Sequence, residues 1–358
     1  MAGRYLTALL WSLVTMTPQA RLGGFKILKD VLRISLIGRK EREDLPFHLC
    51  RAIAEEQINL PYLTAANDGG AWSMNIMVDA SSGSQTTHRI QEEFGPIFTD
   101  ASDSAILSIF PHKSDPMITG SLLEVFEKEG IDPDGYANSP SAISVVLKRG
   151  VVKRASNALF GPFSFSAYRT PADWKLAQKG KEQLYREVVA SYQEKRPKVY
   201  GLEYQEGQEL LQIGLKSGHM GSVGKALKEF ARLGLYLTFL TTCPSQERGR
   251  EKLFICLPKS EGHSNTEIIT RTASEVEIET IFPVATFAMN GPHFGDRYGI
   301  ASELLNALNK EKVGLLGLNC SIASIIGVVP SPQIQSAIRA LENCFEVPSL
   351  TKKNHLPT

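Results

Sequence analysis

The sequence has almost no net charge: 39 Lys and Arg against 38 Asp and Glu leave +1 across 358 residues. A dedicated nucleic-acid binder carries a basic excess, because phosphate contacts supply most of its affinity. No nucleic-acid partner is therefore expected. Cysteine is scarce and scattered, at Cys50, Cys243, Cys256, Cys320 and Cys344. An odd number with no close pair excludes a disulfide framework and a CxxC zinc or redox site. Cys256 lies in a strand-like run and Cys344 in a helical pattern, so they read as buried thiols. The apolar run Tyr5 to Val14 behind Arg4 is too short to cross a bilayer and has the length of a signal-peptide core. Pro18 sits where a cleavage site wants a small residue, and Met16 makes an over-extended start an equally simple account. The expected compartment is the cytoplasm, with no membrane partner.

Catalytic motifs are missing too. There is no G-x-x-x-x-G-K-[ST] phosphate loop, no G-x-S-x-G elbow and no H-E-x-x-H. Cys320 has no evident His partner to activate a thiol. His112 with Asp115, and His293 with Asp296, offer two ligands where a metal site takes three or four, so no metal is expected. Gly218, Gly221 and Gly224 form G-x-x-G-x-x-G, which differs from the dinucleotide fingerprint. They read as turn glycines that admit a ligand or a neighbouring backbone. The expectation is no enzyme and no cofactor.

What is present is a globular composition, 42% hydrophobic and 22% charged, and an internal repeat. Pro111-His112-Lys113-Ser114-Asp115 precedes a helical pattern with Leu122, Leu123 and Phe126. Pro292-His293-Phe294-Gly295-Asp296 precedes one with Leu304, Leu305 and Leu308. Strand-like runs flank both, and the order reads βαββαβ. The same order is legible around strand Lys26 to Ile37 with helix Leu45 to Gln57, and around strand Glu209 to Leu215 with helix Val223 to Leu233. The fold class expected is α+β, with four ferredoxin-like βαββαβ modules in two tandem pairs, their antiparallel sheets carrying helices on one face. A unit of ~70 residues buries a marginal core by itself, so pairing and homo-oligomerisation are expected. The divisions are an extension 1–24, modules 25–102 and 103–168, a helical linker 169–199, modules 200–282 and 283–348, and a tail 349–358. In the linker Trp174, Ala177, Leu184, Val188 and Tyr192 recur at helical spacing between Pro171 and Pro197.

Each first-strand-to-helix turn is short and polar. Free N–H groups at such a helix start favour a carboxylate, by roughly 0.3–2 kcal/mol. An amino acid would also need an acceptor for its ammonium. Asp115 and Asp296 are candidates for that role, with helix capping as the alternative.

Gly291 to Ala301, the helix after it, Val313 to Asn319 and Ile322 to Val329 resemble an ACT domain from the regulatory half of aspartate kinases. Asp44-Leu45-Pro46-Phe47 with Ile58-Asn59-Leu60 is similar to the first module of such pairs, and Gly218 to Gly224 to a third. The Lys-Phe-Gly-Gly-Thr-Ser start of the kinase half does not occur. The resemblance implies a regulatory protein that binds a free amino acid at module interfaces and signals by changed packing. It implies ligand contacts at Gly38, Arg39 and Asn59, and at Gly291, His293, Gly295 and Asp296. His112, Asp115, His219, Met220, Gly221, Phe294 and Asn319 complete the candidate set. Partners expected are an amino-acid effector, a second copy through the modules and a regulated enzyme. The alternatives are a dimerisation module with degenerate sites, or an aspartate-kinase-related regulatory subunit.

Overall fold

The computed structural model describes residues 19–38, 44–95, 98–111, 114–166, 168–178, 196–216, 219–245, 247, 250–260, 262–273, 276–291, 294, 297–321 and 324–353. The apolar run Tyr5 to Val14 and most of the linker helix, 179–195, lie outside the described residues.

The first elements are β1 (Ala20–Ile37), α1 (Leu45–Glu55), β2 (Tyr62–Asp68), β3 (Ala71–Asp79), α2 (Gly83–Phe94) and β4 (Phe98–Pro111). There follow α3 (Pro116–Lys128), β5 (Gly135–Asn138), β6 (Ile143–Lys148), α4 (Val152–Ala158), β7 (Phe163–Phe165) and α5 (Pro171–Gln178). The second half holds β8 (Gly201–Lys216), α6 (Met220–Arg232), β9 (Phe239–Pro244), β10 (Arg250–Pro258), α7 (Asn265–Thr272) and β11 (Glu277–Asn290). It closes with α8 (Ile300–Lys310), β12 (Gly317–Cys320), β13 (Ser324–Pro330), α9 (Ile334–Cys344) and β14 (Leu350–Lys352).

Local chemistry sets several of these starts. Asp115 caps α3, its Oδ1 accepting from the Met117 N–H at 2.8 Å, and Pro116 supplies a first turn that needs no N–H donor. Ser264 caps α7 by accepting from the Glu267 N–H. Of the linker, Trp174 on α5 stacks on Phe25 with ring centroids 4.7 Å apart.

All fourteen strands among the described residues join one sheet. Neighbours run β10, β9, β5, β6, β4, β1, β3, β2, β12, β13, β11, β8, β14, with β7 beside β1. β8 also pairs with β10, so the run closes on itself. Most pairs are antiparallel, but β1 with β7 and β8 with β14 are parallel. The sheet is therefore mixed.

This corrects the expected fold. Four modules, each with its own antiparallel sheet, are replaced by one 14-stranded mixed sheet. β1 pairs with β4 from Leu22 opposite Pro111 to Leu36 opposite Phe98, and β8 and β11 form an equivalent long ladder. The expected divisions at 102/103 and 282/283 fall inside β4 and β11. The cores are shared as well. One gathers α1, α2, α8 and α9 over β1, β2, β3, β12 and β13; its members include Leu49, Ile53, Leu304 and Leu341. The other gathers α3, α4, α6 and α7, with Leu122, Phe126, Val223 and Phe230. The physical cause is the marginal core of a ~70-residue unit, which leaves apolar area to be buried against another part of the chain.

Many of the strands are buried on both faces. Leu63 on β2 points toward the helices, while its neighbour Tyr62 points to an inner cluster with Met77, Ile106 and Val146. A second inner cluster holds Leu210, Phe239, Phe254 and Val328. The join between β5 and β9 is a single residue pair, Ala137 with Thr241. Side chains there complete what the ladder leaves open. The Leu240 N–H donates to Asn138 Oδ1, Asn319 Nδ2 donates to the Asn138 carbonyl at 2.9 Å, and the Tyr136 N–H donates to Thr242 Oγ1 at 2.8 Å. Asn138 and Asn319 stand 181 residues apart, so the two halves of the chain meet in the interior.

Tyr136 lies in this interior at 1% exposure, and its hydroxyl has no hydrogen-bond partner among the described residues. An orphaned buried hydroxyl carries a desolvation cost. Tyr136→Phe is expected to raise stability by about 1 kcal/mol in urea unfolding. A loss of that size would show the hydroxyl engaged.

Candidate functional site: a cleft between two helices

α1 and α8 approach across the seam between the first and last quarters of the chain. Between them is a narrow cleft, partly open to solvent. α1 contributes Cys50, Ile53 and Ala54, and the segment before β2 contributes Ile58 and Leu60. The far wall comes from Phe294, Arg297, the first turn of α8 (Gly299 to Ser302), Cys320 on β12 and Ile325 on β13.

Gly299 starts α8 in the left-handed conformation, φ 84°, without a side-chain cap. A Cβ at Gly299 would face the Ala54 Cβ at 3.9 Å, so this turn looks directly onto α1. The first N–H groups of a helix have no intrahelical acceptor and carry the positive end of its dipole. Arg297 lies beside them, its charge offset by the Glu303 carboxylate at 3.2 Å. Burial pushes the Glu303 carboxyl up, and Arg297 opposes that shift. Burial pushes the Cys50 thiol up to about 12 and Cys320 well above its ordinary value. Both stay protonated at neutral pH. The cleft is thus apolar on one side and meets the free N–H groups of α8's first turn on the other.

The other helix seam, α3 against α6, is closed. A Cβ at Gly120 would lie 2.5 Å from the Gly224 carbonyl oxygen, and one at Gly224 2.7 Å from that of Gly120. The Glu127 carboxylate lies on Gly221, and Glu124 pairs with Lys228 at 2.5 Å. Gly221 and Gly224 of the glycine run expected at a ligand site here serve close helix packing, and Gly218 lies outside the described residues.

The expected site residues are distributed as follows. Phe294 lines the cleft, and Gly291 lies under its ring, since a Cβ there would come within 2.7 Å of Phe294 Cε1. Asn59 sits between Ile58 and Leu60, which both line it. Gly38 packs against Leu45, and its N–H donates to the Trp72 carbonyl. Asp115 is a helix cap. His219 is exposed, Met220 is buried in the second core, and Gly221 is covered by Glu127. Asn319 faces Asn138 and Leu240 in the interior. None of these last six residues is among the described lining of the cleft. Arg39, His112, His293, Gly295 and Asp296 lie outside the described residues. Cys50, Ile53, Arg297 and Gly299 are lining residues that the sequence did not single out. Cys50, Ile53 and Ala54 share one α1 face, but only knowledge of which helix packs opposite would have marked that face as a site wall.

No protein-family model matches the chain, and no curated protein matches it. Among solved structures, the aspartate kinase from Synechocystis matches with a TM-score of 0.74 at 15% identity, covering 94% of this chain and 58% of that one. The chain is aspartate-kinase-like in fold. The regulatory subunit of aspartate kinase from Thermus flavus matches over 40% of this chain and 99% of its own, at 19% identity and a TM-score of 0.37. That from Thermus thermophilus matches over 41% and 98%, at 14% identity and a TM-score of 0.36. The chain spans 58% of the length of the Synechocystis enzyme.

The Synechocystis match corrects three expectations. Resemblance to a tandem regulatory region without a kinase is replaced by a likeness in fold to an aspartate kinase, across nearly the whole of this chain. The reading as a non-catalytic regulatory protein and the reading as no enzyme give way with it, because the chain matched is that of an enzyme. Among the described residues no helix is long and apolar enough to cross a membrane, and no three His, Cys, Asp or Glu side chains gather as metal ligands.

Proposed function

We propose that this chain works in an aspartate-kinase-like enzyme and holds a free amino acid in the α1–α8 cleft. The observation that carries the reading is the match of 94% of the chain to an aspartate kinase at a TM-score of 0.74. The start of α8 supports the amino-acid part, because the free N–H groups of a helix start favour a carboxylate.

Two measurements test this. The chain, purified together with the proteins it binds in its own cells, is expected to release ADP from ATP in an aspartate-dependent way. The chain alone is expected to melt a few degrees higher with at least one of the twenty amino acids at millimolar concentration. A blank in the first measurement overturns the enzyme assignment. A blank in the second overturns the ligand.

A further inference from the structure

We propose that β14 is a releasable strap: charge, not packing, holds it on the edge of β8, and a rise in ionic strength frees it while the rest of the sheet stays closed. The chain carries its own reference for this. β7 and β14 occupy matching places, each a three-residue strand lying parallel on one of the two long strands, β1 and β8. Their flanking backbone bonds match one for one. The Ala20 N–H donates to the Pro162 carbonyl, and the Ser166 N–H to the Leu22 carbonyl. Likewise the Leu202 N–H donates to the Ser349 carbonyl, and the Lys353 N–H to the Tyr204 carbonyl.

The side chains differ. Phe163 and Phe165 of β7 are buried, and the Phe165 ring packs against Phe25, Phe160 and Tyr168. Aromatic burial of this kind holds β7 in place by the hydrophobic effect. Every residue of β14 is exposed, Leu350 at 45%. Two lysines stand where β7 has its packing. Lys352 Nζ donates to Glu206 Oε2 and lies 5.8 Å from the centre of the Tyr204 ring, and Lys353 Nζ lies 2.6 Å from Glu203 Oε2. Such exposed pairs weaken as the Debye length shrinks from about 10 Å at 0.1 M salt to about 3 Å at 1 M. Release stops at Glu346, whose N–H donates to the Pro197 carbonyl and whose carbonyl accepts from the Val199 N–H, behind the fully buried Phe345. A segment with few buried contacts opens locally without the rest of the fold.

Hydrogen–deuterium exchange of the full chain, read at single amides, tests the proposal. Between about 0.05 M and about 1 M NaCl, exchange at Leu202 and Lys353 is expected to rise about threefold. Ala20 and Ser166, with the matching bonds on β7, are expected to stay the same. The double variant Lys352→Glu with Lys353→Glu sets like charges against Glu206 and Glu203. It is expected to exchange about tenfold faster than the parent at Leu202 in low salt, with folding checked by its melting curve. In that variant added salt is expected to slow exchange, because it now screens a repulsion. Equal responses at Leu202 and Ala20 in the unaltered chain overturn the proposal. A folded double variant whose Leu202 exchange still rises with salt overturns it as well.

Discussion

Gly224→Val is expected to lower the stability of the chain by about 3 kcal/mol, measured as a fall in the urea midpoint. Helices α3 and α6 touch at backbone level, and a Cβ on Gly224 would meet the Gly120 carbonyl oxygen at 2.7 Å, with Glu124 Cγ and Leu123 Cβ at 3.1 and 3.2 Å. A carbonyl in a helix cannot rotate away as a side chain can. The helices must separate, and the packing of Leu122, Leu123, Val223 and Leu227 behind them loosens. Valine is a slightly better helix former than glycine, which offsets only a few tenths of a kcal/mol of this loss. Gly150→Ala is the control. A Cβ there meets nothing within 4 Å, and the change is expected to move the midpoint little. A midpoint for Gly224→Val equal to that of the parent chain would mean that α3 and α6 do not pack through their glycines in solution.

The second large effect is a dependence on pH at Glu251. This residue lies on β10, and its carboxyl is pushed up to about 7 by burial first and then by the nearby Asp132 and Asp134. Its value in the unfolded chain is the ordinary 4.5. Between these values the unfolded chain has released a proton that the folded chain keeps, so stability falls as pH rises from about 4.5 to about 7 and then levels. A shift of this size, discounted for the solvent that reaches a half-buried group, corresponds to about 2 kcal/mol. The charge that forms lies beside two further carboxylates, close to where β5 and β9 share only one residue pair. Glu251→Gln is expected to be more stable than the parent chain at pH 8 by about 2 kcal/mol and to show a flatter pH profile. Parallel profiles for the two proteins from pH 5 to 8 would show that Glu251 ionises normally in the fold.

Local order was legible in the residues. The helical spacing of Leu45, Leu49, Ala52 and Ile53 marks α1, whose buried face holds those four side chains. Asp115 before Pro116 marks the start of α3, and the capping hydrogen bond is present. The repeat is also visible in the register, with Gly135 opposite Val146 on β5–β6 and Gly317 opposite Val328 on β12–β13. The cleft was much less legible. Phe294 was singled out from a motif, but Cys50 and Cys320 were read only as thiols, and Arg297 and Gly299 were passed over within the Gly291 to Ala301 run. Their common property is that they face another quarter of the chain. Spacing within one helix reports which side is apolar, and not what that side meets.

The sequence by itself determined the elements, the apolar faces of its helices and the lack of net charge, since these depend on residues a few positions apart. Only the tertiary structure decided that the strands form one closed, mixed sheet, that α1 meets α8 over an open cleft, and that α3 meets α6 without space between them. The reason is distance along the chain. The β2–β12 ladder and the Gly120–Gly224 contact join residues more than a hundred positions apart. Which distant faces combine depends on the fit of whole surfaces. The two seams use similar amphipathic helices. Gly120 and Gly224 close one, while Gly299 facing Ala54 leaves the other open.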